Sequence, residues 1–103
     1  MIIIVFRARI RPMADRDALA HLGARMYELA SSMPGYVSYK DFVAQDEENV
    51  SIVEFESLEA LAAWREHPEH KKAQQLGRDK FFSEYHIQVC TPVRDYRYEE
   101  RAP

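Results

Sequence analysis

Ile2-Ile3-Ile4-Val5-Phe6-Arg7-Ala8-Arg9-Ile10 starts apolar and ends alternating with arginine. Its β-branched and aromatic residues suit a pleated strand better than a helix. In an extended chain Ile2, Ile4 and Phe6 share one face, while Ile3 and Val5 share the other. Both faces are therefore apolar at the start of the strand, and an antiparallel strand covered on one side only would alternate instead. Helices of the same chain can cover one face. Leaving the other in water would expose an apolar patch, and a second sheet packed against it would cover the patch. The simplest source of that sheet is a second copy of the chain, so a homodimer is expected.

Working outward, Pro12 ends the strand, and Asp15 or Asp17 can cap a helix whose apolar stripe is Leu19, Leu22, Met26 and Leu29. Met33-Pro34-Gly35 stops that helix, with Gly35 free to take positive φ. Tyr36 to Ala44 and Val50 to Glu56 read as strands joined by the hairpin loop Asp46-Glu47-Glu48-Asn49. Ser57 can cap a second helix that buries Leu58, Leu61 and Trp64. Pro68 suits the first turn of a new helix, so His67-Pro68 is a joint and a third helix is expected from Pro68 to Lys80. Phe81 to Tyr96 then alternates as one long strand, with Tyr85, Ile87, Val89, Thr91 and Val93 on one face. The order β-α-β-β-α-α-β predicts an α+β, ferredoxin-like antiparallel sheet with helices on one face. Residues 1–96 form the single domain expected from 103 residues, and 97–103 a charged tail.

Composition narrows the function classes. Hydrophobic residues at 47% and charged residues at 30% describe a globular chain able to bury a core. A net charge of −3 with no basic block argues against nucleic acid or an anionic membrane as partner. The apolar start is followed rather than preceded by arginines, so it reads as strand and not as a signal peptide. A single cysteine, Cys90, excludes an internal disulfide framework and fits the cytoplasm; in mid-strand it reads as a buried, inert thiol.

Several motifs are absent. Glycines at 23, 35 and 77 cannot build a dinucleotide or nucleoside triphosphate cradle. No C-x-x-C, H-E-x-x-H or G-x-S-x-G occurs, and Ser83 and Cys90 have no evident His-acid partners. His67 and His70 form an H-x-x-H pair beside Glu66 and Glu69, but zinc would need them to converge across the joint and find a third ligand, so no metal is expected. His21 reads as surface, and His86, opposite Tyr85 in face, as a satisfied core histidine or part of a dimer cavity.

The stretch from Trp64 to Arg78 is the densest in functional side chains. His70, Gln74 and Arg78 recur every four residues as one polar ridge, beside the small-residue pair Ala73 and Gly77. An imidazole, an amide and a guanidinium on one ridge suit a pocket wall; a solvated helix face with a capping histidine is the plainer alternative. Trp64 can anchor the core or supply a flat wall for a planar ligand, with Tyr39, Phe42, Phe82 and Tyr85 as partners from the sheet.

The element order, Pro34-Gly35-Tyr36, the Trp64 helix, His67-Pro68-Glu69-His70 with Ala73-Gln74 and Gly77-Arg78, and the last strand with Phe82, Tyr85, Val89 and Asp95-Tyr96 resemble the antibiotic biosynthesis monooxygenase domain. The resemblance implies a dimeric α+β barrel in which two ferredoxin-like sheets pack face to face. It also implies one of several activities: cofactor-free oxygenation of quinols or anthrones, haem degradation, or isomerisation. Haem degraders of the family carry an Asn on the first strand with a helical Trp and His. Trp64 matches the Trp, but Asn49, the only asparagine, lies in the hairpin loop, and the family's His falls nearer Gln74 than His70. The leading expectation is a cofactor-independent monooxygenase acting with O₂ on an electron-rich phenolic, quinol or anthrone-type aromatic. His70 is then the base, and Gln74 and Arg78 stabilise the anion. Trp64, His67, Tyr39, Phe82 and Tyr85 hold the ring. Haem binding through His70 or His67, and a non-catalytic dimeric binding protein, are the rivals.

Overall fold

β1 (Ile2–Ile10) runs through the middle of a four-stranded antiparallel sheet, with β3 (Asn49–Phe55) on one side and β4 (Phe82–Cys90) on the other. β2 (Tyr36–Val43) pairs with β3 and completes the order β2-β3-β1-β4. Three helices connect these strands: α1 (Arg16–Ser32), α2 (Leu58–Glu66) and α3 (Pro68–Leu76). The computed structural model describes residues 1–102, and their architecture is the ferredoxin-like α+β fold expected from the sequence. Among the described residues no helix is long and apolar enough to cross a membrane.

Register sorts the side chains. Ile4 lies between Val53 and Val89, Phe6 between Ser51 and Ile87, and Ala8 between Asn49 and Tyr85. Cross-strand partners share a face, so these residues make up the side the helices cover. Ile2, Ile4, Val53 and Phe55 from the sheet meet Met26, Leu29 and Ala30 of α1 and Leu61 and Trp64 of α2 in one core. Burying each large apolar side chain contributes about 1.5–3 kcal/mol, which is why these positions fix the pairing register. On the opposite side Ile3, Val5 and Ile52 form a half-buried apolar centre, flanked by Lys40, Glu54 and Gln88.

Local signals explain the element ends. Asp15 is the N-cap of α1, its carboxylate accepting from the Ala18 N–H at 3.0 Å. Gly35 follows the helix with φ 85°, and a Cβ there would sit 2.5 Å from Ala60 Cβ, so both conformation and space demand glycine. Ser57 caps α2 through the Ala60 N–H. His67 is both the C-cap of α2 and the N-cap of α3, and Pro68 stands in the first turn of α3, where its missing N–H costs nothing.

Five expectations need correction. The third helix stops at Leu76, and residues Gly77–Phe81 form a π-helical turn that swings the chain into β4. Three side-chain hydrogen bonds from Arg11 hold this turn: Nε donates to the Phe82 carbonyl at 3.0 Å, and the two terminal nitrogens to those of Asp79 and Arg78. β4 ends at Cys90 and not at Tyr96, because its partner β1 begins at Ile2 and Pro92 has no N–H to extend the ladder. Leu58, the first residue of α2, is 61% exposed. Cys90 and His86 are also exposed: they pair with Ile3 and Arg7 on the sheet face away from the helices, and they lie on an edge strand whose helix-side residues Tyr85, Ile87 and Val89 are exposed as well.

Candidate active site

Between the helices and the covered sheet face lies a cavity of about 970 Å³. Its floor is Ile4, Phe6, Val53, Ile87 and Val89; its helical walls bring Leu19, Leu22 and Met26 from α1 and Trp64, His70, Ala73 and Gln74 from α2 and α3. Much of the core's apolar stripe thus lines a space instead of closing it, which is the usual build of a small-molecule site. Gly77 keeps the wall thin: a Cβ there would meet the Phe82 ring at 3.0 Å.

His70 is the best-defined polar group of the wall. Its ring stacks on Trp64 with centroids 4.0 Å apart and planes 13° off parallel, and Trp64 in turn stacks on Phe55 at 5.5 Å. The Trp64 carbonyl accepts from His70 Nδ1 at 3.3 Å. A carbonyl only accepts, so Nδ1 carries the proton and the neutral ring keeps its lone pair on Nε2. Burial lowers the His70 pKa below the usual 6.5; the Trp64 hydrogen bond opposes this, and the Arg65 and His67 charges add to the lowering. The ring is therefore a neutral base near pH 7. The buried Trp64 Nε1–H has no hydrogen-bond partner among the described residues, a cost of roughly 1–3 kcal/mol carried in the cavity wall.

Gln74 lies one turn beyond His70 and lines the same wall, and Arg78 lies a further turn on. Arg78 donates to the Tyr85 hydroxyl at 3.1 Å and to Gln75 Oε1 at 2.9 Å; Gln75 in turn donates to the Asp79 carboxylate at 2.9 and 3.0 Å. Tyr85 stacks on Phe6 at 5.6 Å, and Phe82 meets Phe6 edge-on at the same distance, so three aromatic rings line this end of the floor. Tyr39 lines the opposite wall, edge-on to Trp64 and to Tyr27. Burial, and then the Asp41 charge, push its pKa up to about 12, so it remains a neutral phenol.

The cavity thus gathers Trp64, Tyr39, Phe82, Tyr85, His70, Gln74 and Arg78 from the expected residues. His67 is not among its lining. Its Nδ1 accepts from the Glu69 N–H at 3.1 Å and its backbone spans the joint between helices. Among the described residues no three His, Cys, Asp or Glu side chains are grouped to hold a metal ion. Sequence reasoning missed Arg16, Tyr27, Asp41 and Arg65 as lining residues. It also missed Arg11, whose only signal was a third arginine just past the end of β1.

The profile of the antibiotic biosynthesis monooxygenases matches residues 1–76, and the chain belongs to that family. The match takes in Trp64, His70 and Gln74 and ends before Arg78 and Tyr85. In sequence, the chain is 28% identical over 76 residues to the uncharacterized protein YqjZ of Bacillus subtilis, covering 74% of this chain and 67% of YqjZ. In structure, it is similar to Rv0793 of Mycobacterium tuberculosis, with a TM-score of 0.81 at 23% identity over 93% of this chain and 98% of that one. It is also similar to SnoaB, a cofactor-independent oxygenase of Streptomyces nogalater, with a TM-score of 0.76 at 16% identity over 91% and 94% of the two chains.

Proposed function

We propose that the protein is a cofactor-independent monooxygenase of an electron-rich phenolic, quinol or anthrone-type aromatic. The observation that carries this reading is His70, a neutral imidazole in an aromatic-walled cavity with its Nδ1 proton engaged and its Nε2 lone pair available. Family membership and the likeness in fold to SnoaB support it. In the reaction, His70 Nε2 removes a proton from the substrate, and the resulting electron-rich anion reduces O₂ directly. A carbon–oxygen bond forms at the ring carbon, the oxygen–oxygen bond breaks, and that C–H carbon becomes a carbonyl. The second oxygen atom leaves as water, so the substrate supplies all the electrons. Gln74, one turn from His70, donates its amide N–H to the developing oxyanion; Tyr39, Phe82 and Tyr85 hold the ring, and Trp64, stacked between His70 and Phe55, positions the base.

A second copy of the chain covers Ile3, Val5 and Ile52 on the open sheet face, making the active form a homodimer. The cytoplasm suits a chain whose single cysteine is exposed in the monomer. Oxygen uptake with a panel of quinols and anthrones tests the activity, and His70→Ala should abolish it without changing the sedimentation of the dimer. A haem titration is the counter-test. The cavity offers iron one imidazole, that of His70, and a saturating Soret band lost in His70→Ala would replace the oxygenase reading by a haem-dependent one.

A further inference from the structure

The folded part of the chain, residues 1–90, holds seven arginines, and they divide into three groups. Arg7, Arg9 and Arg25 are each paired with carboxylates, at 3.1 Å to Glu48, 2.8 Å to Asp46 and 2.6 Å to Glu69 respectively. Arg11 is spent on backbone carbonyls. The remaining three, Arg16, Arg65 and Arg78, all line the cavity, and among the described residues none has a carboxylate within 4.0 Å. The one acid of the lining, Asp41, accepts from the Ser51 hydroxyl. A chain of net charge −3 therefore surrounds its cavity with an excess of positive charge.

Topology brings two of the three to one end. Ile10, the last residue of β1, pairs with Phe82, the first of β4. Arg16 opens α1 six residues after Ile10, and Arg78 lies in the π-helical turn four residues before Phe82. Arg78 is fixed there by two neutral partners, Tyr85 and Gln75, which orient the guanidinium without cancelling its charge. His70 belongs to the other end, stacked over Trp64 and so above Phe55, the partner of Ile2. Eight residues of helix separate the Cα atoms of His70 and Arg78 by roughly 12 Å, too far for both to serve one reacting oxygen of a small ring. A tricyclic aromatic is about the length that bridges them.

We propose that Arg16 and Arg78 recognise a carboxylate on the end of the substrate remote from His70, so that the substrate is an elongated aromatic acid. Guanidinium forks match a carboxylate in shape and charge and are weakly hydrated. Asp15 at the N-cap and Asp17 in the first turn of α1 flank Arg16, which favours a singly charged group over a dianion. The proposal rests on the reading of the cavity as an aromatic site, and the two fail differently.

The test compares anthraquinone-2-carboxylate with the neutral, nearly isosteric anthraquinone-2-carboxamide, titrated against the fluorescence of Trp64, the only tryptophan. The acid should bind about 10- to 100-fold more tightly than the amide, the worth of one charge-assisted hydrogen bond converted to a ratio. That preference should shrink with salt, vanish in Arg16→Met/Arg78→Met, and survive in His70→Phe. Equal binding of acid and amide to the wild-type protein overturns the carboxylate site and leaves the aromatic cavity standing. Binding of neither overturns both.

Discussion

Replacing His70 by Phe separates chemistry from structure more cleanly than any other single change. The phenyl ring preserves the stack on Trp64, at 4.0 Å in the native pair, and an aromatic pair is worth about 0.5–1.5 kcal/mol beyond its buried area. What is lost is the bond from Nδ1 to the Trp64 carbonyl. That carbonyl also accepts from the His67 N–H at 3.1 Å, so it is not orphaned, and the cost is about 1 kcal/mol, a fall in Tm of roughly 5 °C. Removing a general base, by contrast, lowers turnover about 10²- to 10⁴-fold. The pH profile gives a second reading. Because burial depresses the His70 pKa, the ring stays neutral below pH 6.5, and the acid limb of kcat/KM should lie below that value. The same shift means that the unfolded chain binds the proton more readily. Stability is therefore full above about pH 6.5, and it falls as the pH drops toward the depressed folded value. Both the acid limb and this loss should be missing in His70→Phe. Oxygen uptake between pH 5 and 9, with thermal melts at the same pH values, checks each point. A Phe variant within threefold of wild-type turnover, or one that keeps the acid limb, would refute the assignment of His70 as base.

The other predictions concern the walls and supports of the cavity. Gly35→Ala must place a Cβ 2.5 Å from Ala60 at a φ of 85°, and chemical denaturation should show a loss of about 2–4 kcal/mol. Gly23→Ala has nothing within 4 Å of the new Cβ, so the same experiment should show a gain of about 0.5–1 kcal/mol from helix propensity. Trp64→Phe removes the unpartnered buried N–H along with the larger ring, and should cost less than about 1.5 kcal/mol, while Trp64→Ala costs about 3–5. Arg11→Ala frees three backbone carbonyls of the π-helical turn. It should lower stability by about 1–3 kcal/mol and reduce the preference for a carboxylate ligand, because the turn that carries Arg78 loosens; Arg11→Lys cannot restore a three-way fork.

The fold was legible because its signals are local and repeated. The two-faced apolar run of β1, the caps Asp15 and Ser57, the glycine after α1 and the Pro68 joint each act within a few residues, and all agree on one architecture. The errors fell where a partner element decides the outcome. Pro92 is a local sign that the ladder stops, but the alternation that suggested strand to Tyr96 continues past it, and only the pairing shows that β1 has run out of residues there. Likewise the ridge His70, Gln74, Arg78 looked the same for an α-helix through Lys80. The switch to a π-helical turn depends on the close approach of Gly77 to Phe82 and on an arginine sixty-seven positions away from Arg78.

The site divides along the same line. Trp64, His70 and Gln74 stood out because they crowd into one short helical segment, where spacing alone puts them on one wall. Arg16 did not, because a first-turn arginine between two aspartates reads as an ordinary solvated helix start. Its meaning comes from what it lacks. Arg7, Arg9 and Arg25 find carboxylates on other elements of the fold, a distinction no count of charges along the chain can make. Sorting the arginines by partner turns a net charge of −3 into a cavity with three guanidiniums and one acid. The pairing of opposite charges, and not their number, is therefore what sets the cavity apart from the rest of the charged surface and motivates the proposed carboxylate end of the site.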